Sequence, residues 1–272
     1  MSRTTSALTR KALGNASPGR FAARLIGVRK SHRAPGGPAV EALRGVDLAV
    51  PTGTMVAVIG PSGAGKSTLL HCASGLTPAD SGGIHIGETS LTTLNERALT
   101  RLRRDRIGLL LPGFDLVPAL TVRENITLPI DLAGRGRVDA VWSNRVITAF
   151  GPANRLDRRP RELTPGERRR AACARALIGR PEILIADEPT AGLDTRAADE
   201  VLALLRLAVS DMGRTVLTAT RDPYVASRAD IVVFLGDGRV LDRLSAPDQH
   251  EVLLRMRRSE SAAPARHRRA ER

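Results

Sequence analysis

The chain has 272 residues, 42% of them hydrophobic and 26% charged, with a net charge of +14. That hydrophobic fraction excludes a chain without a core and is enough for one large domain, or for a core domain carrying an insertion. No apolar run approaches the ~18 residues needed to cross a bilayer, and "MSRTTSALTRKALGNASPGR" lacks the apolar centre of a secretory signal, so the expected location is the cytosol.

In chain order, residues 1–22 read as a basic tail; Arg3, Arg10, Lys11 and Arg20 meet no acid there. "ARLIGVRKS" (23–31) and "VEALRGVDLAV" (40–50) alternate like two antiparallel strands around the Gly/Pro loop "APGGPA", which predicts a hairpin-like edge sheet. "TMVAVIG" (54–60) is continuously apolar, as a central strand covered on both faces should be, and the apolar helix "STLLHCASGL" follows it. From about 88 to 180 the sequence turns helical and charged, predicting an inserted helical subdomain. Three more buried-strand runs follow, "EILIAD" (182–187), "TVLTAT" (215–220) and "IVVFLG" (231–236), with a helix-period segment at 195–210. Residues 244–272 read as a C-terminal helix and a second basic tail; seven arginines from 255 onward face only Glu260 and Glu271. Strands alternating with helices predict an α/β fold with a mostly parallel sheet.

The charge excess therefore sits largely in the two ends, and only three of the 42 basic residues are lysine. Solvated tails account for that pattern, and no specific nucleic-acid partner is expected. Cys72 and Cys173 have no Cys or His at metal-ligand spacing and read as packing residues.

The chemistry is carried by "GPSGAGKS", Gly60, Pro61, Ser62, Gly63, Ala64, Gly65, Lys66 and Ser67, with Thr68 next. It lies between a predicted strand and a predicted helix, the context that gives this pattern meaning. Its glycines let the backbone wrap phosphates with N–H groups inward, and the helix offers the positive end of its dipole. Lys66 would neutralise the β- and γ-phosphates, and the Ser67 hydroxyl would ligate Mg²⁺. "EILIADEP" supplies a second acidic strand end: Asp187 for the Mg²⁺ shell, and Glu188 to orient or deprotonate an attacking water. Adjacent carboxylates at a buried strand end are costly without a cation nearby.

With these motifs in view, residues 23–243 resemble the nucleotide-binding subunit of an ATP-binding cassette (ABC) transporter, nearest to the macrolide-exporter and lipoprotein-releasing branch. "VEALRGVDLAVPTG", "LTTLNERALTRLRRDRIG", "LVPALTVRENITLPI" and the D-loop-like "PTAGLD" carry the match. The resemblance implies a P-loop NTPase fold with an antiparallel β subdomain and an inserted helical subdomain, and ATP with Mg²⁺ as ligands. It further implies a separate integral membrane permease as partner, a homo- or heterodimer of ATP-binding subunits, and a peripheral position on the cytoplasmic face of the membrane. Site residues follow by the same resemblance. His32, in "KSH", takes the place of the ring that stacks on adenine. Thr164, Gly166 and Glu167, in "LTPGE", take the place of the signature that meets the partner's γ-phosphate. Asp194 is the D-loop acid.

Besides His32 and the altered signature, three positions that touch the γ-phosphate end depart from the family pattern. Pro112 stands where a glutamine senses Mg²⁺ and water, and it offers neither side-chain acceptor nor backbone donor. Pro165 removes an N–H from the expected anion-binding helix start. Arg221 stands where a histidine contacts the γ-phosphate, and its permanent charge tends to pair with Glu188 or to clamp phosphate. An ATPase of reduced or partner-dependent turnover is expected, driving a membrane subunit. The alternative is an ATP-gated regulatory subunit with little hydrolysis.

Overall fold

The computed structural model describes residues 21–33, 37–112, 116–134 and 139–262; of the expected end segments 1–22 and 244–272, residues 1–20 and 263–272 lie outside it, while Phe21 and Ala22 belong to a strand rather than to a tail. Its centre is a six-stranded sheet in the order β10-β9-β3-β8-β7-β6. The strands are β3 (Met55–Ile59), β6 (Ile107–Leu110), β7 (Ile183–Asp187), β8 (Thr215–Thr220), β9 (Ile231–Gly236) and β10 (Arg239–Ser245). Five run parallel, and β10 returns antiparallel beside β9. All of β3, β7 and β8 is buried, which is why these segments are apolar without alternation.

A second sheet, ordered β2-β1-β4-β5, is antiparallel. It consists of β1 (Phe21–Arg33), β2 (Ala39–Pro51), β4 (Ser81–Ile86) and β5 (Thr89–Ser90). The expected hairpin is present, but β1 is an interior strand because β4 pairs its other side. Helix α1 (Lys66–Ala73) lies between the two sheets, where Leu69, Leu70, Cys72 and Ala73 join residues of both in one core.

The stretch 88–180 is not helical throughout. After α2 (Glu96–Arg106), Ile107–Leu110 forms strand β6, in parallel register from Ile107 opposite Ile183 to Leu110 opposite Ala186. Four apolar residues between a charged helix and Pro112 carry too little periodicity to announce a strand. Gly108 makes the fit possible: a Cβ there would run into the Ala176 carbonyl. Beyond β6 lie α3 (Val122–Leu132), α4 (Ala140–Phe150) and α5 (Pro165–Ile178). They share a core built on Ile126, Trp142, Val146, Phe150 and Leu177, which reaches α6 (Thr195–Ser210) through Val201 and Leu204. Short α7 (Pro223–Ser227) follows β8, and α8 (Gln249–Ala262) follows β10.

Cys72 and Cys173 are both buried, and burial pushes their thiols up to about 11 and about 12. They are packing residues, inert as nucleophiles. Among the described residues no helix is long and apolar enough to cross a membrane.

Candidate functional site at the carboxyl edge of the parallel sheet

Because β3, β8 and β7 are parallel neighbours, the loops leaving their carboxyl ends emerge side by side, the usual place for a ligand in such sheets. Gly60 leaves β3 so close to β9 that a Cβ would collide with the Leu235 carbonyl. Gly63 and Gly65 then turn the loop through positive φ, 77° and 100°, where a side chain would be strained. Lys66 opens α1, and its Nζ reaches back to donate to the carbonyls of Gly60 at 2.7 Å and Pro61 at 2.9 Å. Burial pushes the Lys66 ammonium below its ordinary value; Glu188 opposes that fall, Arg221 adds to it, and Asp187 opposes it.

A pocket of about 300 Å³ is lined by Ser62, Gly63, Gly65, Lys66, Ser67, Thr68, Glu188 and Arg221. Two larger clefts, of about 520 and 530 Å³, contain no P-loop residue and no acidic side chain; chemistry, rather than size, picks out the smaller one. Asp187 ends β7 at 3% exposure, and its Oδ1 has no hydrogen-bond partner among the described residues. An orphaned buried carboxylate oxygen costs free energy unless something positive meets it. The hard oxygen donors of Asp187 and Ser67 therefore fit Mg²⁺, which commonly takes one or two protein ligands and completes its shell with water and phosphate.

Glu188 follows at φ 45°, a left-handed conformation unusual for a side chain of this kind, and its N–H donates to the Ala219 carbonyl at 2.9 Å. Arg221, the first residue beyond β8, donates from Nε to Glu188 Oε1 at 3.2 Å. The tendency of this arginine to pair with Glu188 is thus realised in the structure. At the pocket rim, His32 Nε2 and the Thr68 hydroxyl lie within hydrogen-bond distance at 3.1 Å. Asp80 ties the same segment down, accepting from Lys30 Nζ at 2.8 Å and from the Ser31 N–H at 2.6 Å.

Thr164, Gly166, Glu167 and Asp194 do not line this pocket. They form a separate corner, where α5 meets α6. Thr164 caps α5: its hydroxyl accepts from the Glu167 N–H at 3.2 Å, and Glu167 accepts the Thr164 N–H at 2.9 Å. Asp194 caps α6 through the Ala197 N–H at 2.8 Å. Gly166 faces Ala197, whose Cβ leaves little room for another methyl. Pro165 sits at the first helical position, where its missing N–H removes no intrahelical bond. The expected loss of a donor therefore leaves the helix start intact. Pro112 is exposed just beyond β6, next to residues outside the described set.

One support of the loop was not anticipated. Asp237 and Gly238, at φ 47° and 69°, make the tight turn of the β9–β10 hairpin. From that turn the Gly238 N–H donates to the Ala64 carbonyl, its own carbonyl accepts from the Arg44 N–H, and Asp237 Oδ2 pairs with Arg44 at 2.5 Å. The signal was present as "DG" between two strand-like runs, a strong hairpin pattern.

The family model described as ABC transporter matches residues 43–191. The chain belongs to the ABC transporter family. Its cassette is 41% identical over 203 residues to the lipoprotein-releasing system ATP-binding protein LolD 1 of Rhodospirillum rubrum, covering 74% of this chain and 90% of that one. It is 36% identical over 215 residues to the macrolide export ATP-binding/permease protein MacB of Shigella flexneri, covering 79% of this chain and 33% of that longer protein. Among solved structures, the dimeric post-hydrolysis state of the ATP-binding cassette MJ0796, bound to ADP and Pi, superposes with a TM-score of 0.75 at 31% identity. That match covers 83% of this chain and 99% of the other.

Proposed function

We propose that the chain is the ATP-hydrolysing subunit of an ABC transporter of the lipoprotein-releasing and macrolide-exporting type. It acts as one half of a homo- or heterodimer docked on an integral membrane permease, peripherally at the cytoplasmic face. Residues 23–243 form the ATP-binding unit in this reading, with the helical portion after β6 as its insertion. The observation that carries the reading is the convergence of Lys66, Ser67, Glu188 and Arg221 on one pocket at the carboxyl edge of the parallel sheet.

The P-loop from Gly60 to Thr68 binds the phosphates through backbone N–H groups, and Lys66 neutralises them. His32 lies against the base. Ser67 and Asp187 would hold Mg²⁺, which when bound supplies positive charge to the phosphate oxygens. Glu188 orients a water and takes its proton as the water oxygen attacks the terminal phosphorus. The bond from that phosphorus to its bridging oxygen breaks, and ADP and phosphate are the products. Thr164, Gly166 and Glu167, with Asp194 at the same corner, face the nucleotide of the partner subunit. Pro112 and Arg221 lower turnover relative to a site with glutamine and histidine in their places. The relatives are transporter subunits, so an ATP-gated regulatory role without transport is not favoured.

Steady-state turnover of Mg-ATP by the purified chain, beside Glu188→Gln, tests this. Turnover falls by about 100-fold or more in the variant while nucleotide binding persists. Turnover that survives the substitution would remove Glu188 from the chemistry and sink the mechanism.

A further inference from the structure

The Arg221–Glu188 pair does more than line the pocket. Its two partners are held very differently. Glu188 is fixed by its left-handed backbone and by the hydrogen bond from its N–H to Ala219, and its side chain is only 22% exposed. The Arg221 side chain is 63% exposed, and its one hydrogen bond among the described residues is the one to Glu188. The guanidinium is therefore the member free to swing, and the carboxylate is the fixed post. While the pair is closed, Oε1 of Glu188 accepts from the Arg221 guanidinium, and a water must compete with that charged donor for the oxygen.

The same pocket already holds a second cation, Lys66, turned toward the carbonyls of its own loop. Two phosphates can be met by the loop N–H groups and by Lys66. A third adds negative charge and acceptor oxygens of the kind that a guanidinium fork binds better than it binds one carboxylate oxygen.

We propose that Arg221 and Glu188 form a resting latch, in which the guanidinium occupies the carboxylate until a third phosphate draws it away. Arg221 is then a positioning residue with two alternative partners, and it frees Glu188 only when the bound nucleotide is a triphosphate. The same exchange makes Arg221 the residue that discriminates ATP from ADP. This rests on the nucleotide-binding reading above and adds a regulatory step to it. Because each partner competes for one guanidinium, removing the carboxylate must strengthen triphosphate binding, and only when Arg221 is present.

The test is a double-mutant cycle on the full chain: Arg221→Ala, Glu188→Gln and the pair together. Affinities for Mg-ATP and Mg-ADP are measured by displacement of a fluorescent ADP analogue, with thermal unfolding to confirm that each variant is folded. Arg221→Ala lowers ATP affinity by about tenfold and ADP affinity by less than about threefold, as loss of a charge-assisted hydrogen bond to the third phosphate requires. Glu188→Gln raises ATP affinity in the wild-type background and leaves it unchanged in the Arg221→Ala background. Equal gains in both backgrounds would mean that the carboxylate merely repels phosphate, and the latch falls while ATP binding stands. Equal losses of ATP and ADP in Arg221→Ala also overturn it. Failure of the wild-type chain to bind either nucleotide overturns the nucleotide-binding reading, and the latch with it.

Discussion

Asp187 pays in stability for its place in the site. Its carboxylate is almost wholly buried at the end of β7, and Oδ1 finds no donor among the described residues; the Thr218 hydroxyl is likewise unpartnered. The Lys66 ammonium offsets part of that cost and a bound cation would offset more, a common reason for binding sites to be weak points of a fold. Asp187→Asn removes the buried charge and should raise the unfolding free energy of the nucleotide-free protein by about 1 kcal/mol. The same substitution should shrink the gain in ATP affinity on adding Mg²⁺. Chemical denaturation without nucleotide, and ATP titrations with and without Mg²⁺, measure the two effects. A variant that loses stability and keeps the full Mg²⁺ response would show that this oxygen serves only the fold.

At the scale of elements, the caps of α5 and α6 tie together the corner that carries Thr164, Gly166, Glu167 and Asp194. Thr164→Ala deletes the acceptor for the Glu167 N–H and should cost about 1 kcal/mol, read as a lower urea midpoint with an unchanged slope. No change in the midpoint would mean that water replaces the hydroxyl at that exposed position. These caps also show what was legible beforehand. The buried strands β3, β7, β8 and β9 could be read because each is an unbroken apolar, β-branched run, the helix at 195–210 because it is long enough for its period to declare itself, and "GPSGAGKS" because its spacing is long and its flanks agree. Strand β6 could not: its four residues take their identity from register with β7 and from the space that Gly108 leaves for α5. The separation of the signature corner from the P-loop pocket was expected only by resemblance, since no spacing in the chain encodes it.

Across the whole molecule, several carboxylates are tuned by the fold. The Lys30 ammonium and then the Ser31 N–H hold the Asp80 carboxyl below its ordinary value of 3.8. Glu124 and Glu162 are held below 4.5, first by backbone N–H groups of Thr121 and Arg159. Depressed values in the folded state mean that the unfolded chain binds protons first as pH falls. These groups therefore contribute stability above the ordinary carboxylate range, and that contribution is lost as pH drops through their folded values. Urea midpoints should be flat near neutrality and fall below about pH 4.5, and Asp80→Asn should make that fall shallower. A midpoint that rises on acidification would contradict the sign.

The hairpin turn at Asp237 and Gly238 has a consequence in time as well as in space. It holds Ala64 of the P-loop and Arg44 of β2, joining segments that the ribosome makes far apart. A growing chain displays the whole "GPSGAGKS" motif first, yet Glu188 and Arg221 in front of it, and then the brace behind it, are made only well over a hundred residues later. The motif is thus made long before it is a finished site, and grip on nucleotide becomes a sign that these distant segments have closed upon one another.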